Sequence, residues 1–377
     1  MISREFQIFA KPVGSSCNLN CSYCYYRGNK DFNPRNRNPG MSEYVLEKYI
    51  IQHIEASTDQ DIMFSWHGGE PLLAGRDFYT KVVTLQKKHQ PPGCSILNGV
   101  QTNGTLLDEE WCSFFASEGF IAGISIDGPG DLHNRNRHSL TEDSSLTQVL
   151  RGYELLKKYG ISTEILCVVG AHNVNYPLIV YDFFKQLEVK YVTFLPLVIR
   201  QAGSASGVST NSVPSEAWGS FLCAVFDEWV KKDIGKIKIQ IFEEAARTAF
   251  NQKHTLCIFK VDCGRVPVIE HNGDFYSCDH FVDKDHLIGN ISKRSLADLL
   301  DSPEQIAFGK AKSLSLPHLC LDCDVRNMCN GECPKNRFID SPDGKPELNY
   351  LCSGYKQFFT HCRPFVEAIK LASGIIK

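Results

Sequence analysis

Short apolar runs alternate with amphipathic stretches from residue 6 to about residue 200. The extended candidates are residues 6–11, 61–66 (DIMFSW), 95–101 (SILNGVQ), 120–126 (FIAGISI), 161–169 (ISTEILCVV) and 191–195 (YVTFL). Helical patterns with recognisable starts lie between them: Ser42 before EYVLEKYIIQHI, Asp77 before FYTKVVTLQKKH, Asp108 before EEWCSFFASE and Asn175 before YPLIVYDFFKQL. Six successive β-α repeats predict an α/β fold of parallel strands with helical crossovers, either an open doubly wound sheet or a complete or partial barrel. No Gly-x-Gly-x-x-Gly follows the first strand, which argues against a dinucleotide-binding fold.

The periodicity breaks at residues 201–215 (QAGSASGVSTNSVPS), a loop or domain boundary by composition. A helix follows over EAWGSFLCAVFDEWVKK. From residue 257 the spacing turns irregular, with a hairpin expected over VPVIEHNGDFYSC turning at Asn272-Gly273, and a last helix over residues 352–371. The region from 257 has few apolar runs of its own, so metal is expected to organise it. The expected division is therefore 1–235 and 236–377.

Composition is ordinary for a globular chain of 377 residues, with 43% hydrophobic and 22% charged. No run of 18 apolar residues is present, so no membrane partner is expected. A net charge of −3 argues against a general polyanion binder, and no nucleic-acid partner is expected. The N-terminus lacks the pattern of a secretory signal, which points to the cytoplasm.

Sixteen cysteines change the picture. In a cytoplasmic chain of this size, metal or redox chemistry explains them better than disulfides. Cys17, Cys21 and Cys24 form C-x3-C-x2-C, and Cys257, Cys263, Cys278, Cys320, Cys323, Cys329, Cys333 and Cys352 crowd the last third. Cys94, Cys112, Cys167, Cys223 and Cys362 stand alone and read as small packing residues. A structural zinc ion wants four ligands, yet the next histidine after the N-terminal three is His53. An iron-sulfur cluster with one open iron fits three thiolates better. Eight further thiolates fill two four-cysteine sites, which spacing alone leaves open between zinc and iron-sulfur.

The run Cys17-Asn-Leu-Asn-Cys21-Ser-Tyr-Cys24-Tyr-Tyr resembles the signature of the radical S-adenosylmethionine enzymes. That resemblance implies a partial (β/α)6 barrel whose three cysteines hold a 4Fe-4S cluster, with S-adenosylmethionine on the fourth iron as source of a 5′-deoxyadenosyl radical. It implies cofactor contacts at Tyr23, at Gly68, Gly69 and Glu70, and at Asn103, Ser125 and Arg151. Most of these stand at or just beyond predicted strand ends, where barrel enzymes keep their sites. The C-terminal cysteine spacing is similar to the SPASM extension. It implies two auxiliary 4Fe-4S clusters, one on Cys257, Cys263, Cys278 and Cys333 and one on Cys320, Cys323, Cys329 and Cys352.

Tyr276-Ser-Cys278-Asp279-His-Phe, Leu287-Ile-Gly-Asn, Cys329-Asn-Gly-Glu-Cys333-Pro-Lys-Asn-Arg and Leu348-Asn-Tyr-Leu-Cys352 narrow the resemblance to the anaerobic sulfatase-maturating enzymes. Those enzymes imply oxidation of a Cys or Ser in a sulfatase motif, Cys/Ser-x-Pro/Ala-x-Arg, to Cα-formylglycine, with Asp279 as proton acceptor. A reductant of the flavodoxin or ferredoxin kind is implied as electron donor. Peptide contacts are expected at Tyr26, His67, Asp127 and Arg137, and His67 would add pH sensitivity. The anionic cluster beside Asp279 is expected to raise its pKa. The competing readings are another SPASM-type peptide-modifying enzyme, which would crosslink or epimerise, and a zinc-stabilised binding module.

Overall fold

The computed structural model describes residues 4–26, 40–139, 144–201, 203–204, 206–342, 344 and 346–373. All six expected β-α repeats are present. Strands β1 (Phe9–Lys11), β2 (Asp61–Trp66), β3 (Ser95–Thr102) and β4 (Phe120–Ser125) alternate with helices α1 (Glu43–Ala56), α2 (Arg76–His89), α3 (Glu109–Ser117) and α4 (Leu146–Lys158). Then come β5 (Thr163–Val169), α5 (Pro177–Gln186), β6 (Tyr191–Pro196), α6 (Ser215–Lys232), β7 (Lys238–Ile239) and α7 (Gln240–Arg247). The C-terminal third carries β8 (Val268–Glu270), β9 (Asp274–Tyr276), β10 (Leu287–Asn290), α8 (Pro303–Leu314) and the long helix α9 (Cys352–Ala372).

The chain forms two units interleaved in sequence. The first is Met1–Ser125, Arg137–Thr163 and Gly264–Gly309; the second is Ile126–Asn136, Glu164–Cys263 and Lys310–Lys377. Residues 264–309, which the division at 235/236 groups with the C-terminal part, therefore belong to the first unit.

In the first unit the strand order is β10-β9-β8-β1-β2-β3-β4. β1 to β4 pair in parallel, and β8 also joins β1 in parallel, with Lys11 opposite Glu270. β8 and β9 form the expected hairpin, and Gly273 at φ +86° makes its turn. The core is Ile8, Phe64, Trp66, Tyr49, Tyr79 and Phe115, all nearly or wholly buried. Tyr49 and Trp66 meet edge to face at 5.9 Å.

In the second unit β5, β6 and β7 are parallel. Helices α6 and α9 cross where two glycines meet: a Cβ on Gly354 would stand 2.0 Å from the Ser215 carbonyl oxygen, and one on Gly219 would stand 2.7 Å from that of Gly354. Phe226 lies between Phe242, Phe358 and Phe365, with ring centroids 5.2, 6.0 and 5.5 Å away.

Ser42 and Asp108 cap α1 and α3 as expected, accepting from the N–H groups of Val45 and Trp111. Two other starts differ. Asp77 lies inside the first turn of α2, because the short turn Pro71–Ala74 ends at Gly75 and the helix begins directly after it. α5 begins at Pro177, a residue suited to the first helical position, so Tyr176 rather than Asn175 is its N-cap. The first strand is also shorter than expected. In the 201–215 loop Arg200 bridges Val208, while residues 202 and 205 lie outside the described set. No helix among the described residues is long and apolar enough to cross a membrane.

Candidate functional site

The three N-terminal cysteines follow β1 on a loop pinned against the end of β2. Gly69 N–H donates to the Gly14 carbonyl at 2.9 Å and Glu70 N–H to that of Ser16 at 2.8 Å. A Cβ on Gly69 would lie 2.1 Å from the Ser16 carbonyl oxygen, and one on Gly68 would lie 2.9 Å from that of Gly14. Both glycines are thus required by two backbones in contact.

Glu70 is fully buried. Its carboxylate accepts from Asn103 N–H at 2.7 Å, Thr102 Oγ1 at 2.8 Å and Leu72 N–H at 3.1 Å. Burial pushes its pKa up to about 7, against the lowering effect of those donors. The side chain therefore fastens the end of β3. Asn103 in turn donates to Asn18 Oδ1 at 2.9 Å and to the Cys17 sulfur at 3.8 Å. Arg151 donates to the carbonyls of Thr105 and Leu107 in the same loop at 3.2 and 3.4 Å, and Ser125 Oγ accepts from Gln101 at 3.3 Å. Arg137 lies over the Tyr23 ring at 5.4 Å.

Asp279 reaches this loop because β8 pairs with β1. After β9, the turn closed by Phe281 N–H on the Cys278 carbonyl (3.1 Å) presents the carboxylate. Lys11 Nζ is 2.6 Å from Asp279 Oδ1, and Tyr25, the residue after Cys24, donates its hydroxyl to Oδ2 at 2.6 Å. Lys11 is wholly buried and stands 3.8 Å from the centre of the Tyr26 ring. The Tyr26 hydroxyl donates to buried Glu270. Lys11, Tyr25 and Glu270 carried no functional signal in the sequence, apart from Tyr25 lying inside the cysteine motif.

The rise expected for the Asp279 pKa comes from the anionic cluster, and the protein's own groups act on that pKa as well. Burial alone would raise it, but the Lys11 ammonium, then His67 and His280, hold the carboxyl below its usual range. His67 stacks on Phe9 with centroids 5.0 Å apart. Burial lowers the His67 pKa, with Asp279 opposing and Lys11 assisting.

Cys17, Cys21, Cys24, Tyr23, Tyr26, His67, Gly68, Gly69, Glu70, Asn103, Ser125, Arg137, Arg151, Cys278 and Asp279 all belong to the first unit. Asp127 belongs to the second, where its carboxylate accepts from Val168 N–H at 2.9 Å and holds β5.

The other seven candidate ligands lie in the second unit. Cys320, Cys323, Cys329 and Cys352 form one group linked by mutual charge repulsion. Cys352 opens α9, where the helix dipole favours a thiolate. Between Cys329 and Cys333, residues Asn330, Gly331 and Glu332 are all left-handed at φ 47°, 72° and 52°. Arg337 holds this turn through the carbonyls of Gly331, Asn330 and Glu332. Cys257 and Cys263 form a second pair. Its loop is fixed by Glu244, which accepts from the N–H groups of Thr255 and Leu256 and from His254, itself 2.9 Å from the Asn327 carbonyl.

Burial pushes the thiols of Cys17, Cys257 and Cys352 up to about 12, 11 and 11, with neighbouring thiolates adding to it. Such sets become anionic when a metal centre supplies the compensating charge. Among the described residues no three Cys, His, Asp or Glu side chains converge closely enough to hold a single metal ion. Of the five lone cysteines, Cys112, Cys167 and Cys362 are buried in α3, β5 and α9; Cys94 and Cys223 are half-buried.

Comparison with known proteins agrees with this geometry. Residues 12–182 match the family model of the radical SAM superfamily, and residues 257–324 match that of an iron-sulfur cluster-binding domain, SPASM. A serine-type anaerobic sulfatase-maturating enzyme of Bacteroides thetaiotaomicron is 42% identical over 98% of this chain and 92% of its own. A cysteine-type enzyme of the same name from Clostridium perfringens is 32% identical over 95% of this chain and 96% of its own. The solved structure of native anSMEcpe with bound AdoMet and Cp18Cys peptide superposes with TM-score 0.87 at 30% identity, covering 97% of this chain and 99% of that one.

Proposed function

Because the chain belongs to the anaerobic sulfatase-maturating enzymes, radical SAM proteins with a SPASM extension, we propose that it oxidises a Cys or Ser of a sulfatase polypeptide to Cα-formylglycine, with Asp279 as proton acceptor. When bound, S-adenosylmethionine and the three iron-sulfur clusters supply a 5′-deoxyadenosyl radical and an acceptor for one electron.

The protein's own groups have separate tasks. Cys17, Cys21 and Cys24 hold the radical-generating cluster, and Gly68, Gly69, Glu70 and Asn103 fix the loop and the strand ends that border it. Tyr23, Ser125 and Arg151 are assigned to the S-adenosylmethionine site, Arg151 by ordering the loop after β3. Tyr26, His67 and Arg137 are assigned to the peptide, as is Asp127 from its place after β4. The ligands of the auxiliary clusters are Cys257, Cys263, Cys278 and Cys333 for one and Cys320, Cys323, Cys329 and Cys352 for the other.

The substrate Cβ loses a hydrogen atom, its thiol or hydroxyl loses a proton to Asp279, and one electron leaves, which makes the two-electron oxidation balance. A serine gives the aldehyde directly. A cysteine gives a thioaldehyde that water hydrolyses. The observation that carries the reading is the hydrogen bond from Tyr25, next to Cys24, to Asp279. A carboxylate beside the three-cysteine loop supports a proton acceptor in that position. By motif, residues 1–235 are assigned to the barrel and 236–377 to the extension, with residues 264–309 of the extension packed in the first unit. The thiol-rich composition supports a cytoplasmic location, and a flavodoxin or ferredoxin fits as reductant.

Anaerobic turnover of matched Cys and Ser peptides, with 5′-deoxyadenosine and formylglycine measured together, tests this. Formylglycine from either peptide is expected, in step with 5′-deoxyadenosine. A crosslinked or epimerised peptide without aldehyde would assign the protein to another SPASM chemistry.

A further inference from the structure

Lys312, in α8, is a buried cation to which the reaction above gives no task. It is 1% exposed. Its Nζ donates to the main-chain carbonyls of Cys257 at 3.0 Å and Ile258 at 2.7 Å, and also to that of Lys260. These carbonyls end one helical turn, closed by the N–H groups of Phe259 and Lys260 on the Leu256 carbonyl. A cation is favoured there, at the negative end of the turn.

Three neutral acceptors satisfy the hydrogen bonding of an ammonium and leave its charge uncompensated. A buried charge is retained at such a place when an anion balances it. The ionisable groups facing Lys312 are the thiols of Cys263, Cys333 and Cys257, the Arg337 guanidinium and the buried Glu332. Glu332 is already held by the amides of Asn336 and Asn349. Lys312 and Arg337 bring two positive charges and Glu332 one negative, so a positive charge is left over for the thiolates to balance.

We propose that Lys312 is the fixed counter-charge of the auxiliary cluster to which Cys257, Cys263 and Cys333 belong, and that it raises the affinity of that cluster for the substrate's electron. The proposal rests on the reading of these cysteines as cluster ligands. Bound there, the cluster would accept the electron released by the substrate with the Lys312 side chain beside its ligands. A positive charge at close range favours the more negative, reduced form.

Lys312→Gln keeps an N–H donor for the carbonyls and removes the charge; Lys312→Arg keeps the charge. Each is compared with the full-length wild type, with clusters reconstituted anaerobically, by iron analysis and by redox titration followed by electron paramagnetic resonance. In the Gln variant one cluster is expected to become harder to reduce by about tenfold in its equilibrium constant, about 59 mV for a one-electron couple. The other two clusters and the Arg variant should titrate as wild type. A fully loaded Gln variant with wild-type potentials overturns the proposal, as does an equal shift in the Arg variant. Cluster loss in the Gln variant alone supports the need for charge, and loss in both variants makes Lys312 a packing residue and overturns it. Wild-type protein with about eight iron atoms instead of about 12 would refute the cluster reading itself, before any potential is measured.

Discussion

Asp279 and Lys11 form one unit of chemistry although 268 positions separate them in the chain. Lys11 Nζ forms an ion pair with Asp279 Oδ1 at 2.6 Å, and the Tyr25 hydroxyl donates to Oδ2. Lone pairs remain open on both oxygens for a substrate proton. Asp279→Asn is expected to keep the shape and lose the base: 5′-deoxyadenosine should still form, while formylglycine per 5′-deoxyadenosine falls by about 10² to 10⁴. Lys11→Met removes the group that fixes the carboxylate, so the same ratio should fall about tenfold or more. In the Asp279→Asn background Lys11→Met should add almost nothing, since coupled residues are not additive. Mass spectrometry of both products checks this, and full additivity would mean that Lys11 acts elsewhere. Asp279 was singled out in the sequence by the resemblance of Tyr276-Ser-Cys278-Asp279 to the family motif. Lys11 was not, being one of 40 Lys and Arg residues and standing in an apolar strand where a wholly buried lysine is unusual.

Elements were legible where the local pattern decides them, as with the caps Ser42 and Asp108. What the pattern could not report was contact between elements. Gly68 and Gly69 read equally well as a turn or as a cofactor motif, yet the physical requirement is the close approach of two backbones. Gly69→Ala, with its Cβ 2.1 Å from the Ser16 carbonyl oxygen, should keep the cysteine loop from docking. Iron should then fall by about four atoms per chain, with the auxiliary clusters still loaded. His53 shows a second case, a histidine noted in the sequence only as too distant to complete the three-cysteine motif. It packs inside α1, with its ring 4.3 Å from that of Phe64 and Nδ1 3.1 Å from the Tyr49 hydroxyl. Burial pushes its pKa down to about 3 from 6.5. The unfolded chain therefore takes up a proton below 6.5 that the folded protein refuses, and stability falls as pH drops from 6.5 towards 3. At pH 5 the loss is about 2 kcal/mol, 1.5 pH units at 1.36 kcal/mol each. Denaturant unfolding at pH 7 and pH 5 should show this slope in the wild type and a flatter one in His53→Leu.

At the scale of the whole molecule, six β-α repeats could be read because strand and helix periods are local, whereas the interleaving of the two units could not. The pairing of β8 with β1 joins Glu270 to Lys11 across 259 positions, a relation carried by no window of sequence. The cysteine-bearing segments of the second unit are where metal was expected to organise the chain. Around residues 252–263 and 318–333 the chain forms short turns, held from outside by Glu244, Lys312 and Arg337. α6 and α9, in contrast, enclose an aromatic core around Phe226, Trp218 and Tyr355 that needs no metal. Removing iron leaves buried thiols with nothing to draw them together, so these turns should open locally while the core stays shut. Limited proteolysis of chelator-treated protein, mapped by mass spectrometry, should give first cuts between 252 and 263 and between 318 and 333, with α6 and α9 protected. First cuts within α6 or α9, or a pattern unchanged by the chelator, would mean that packing rather than metal organises the cysteine-rich segments.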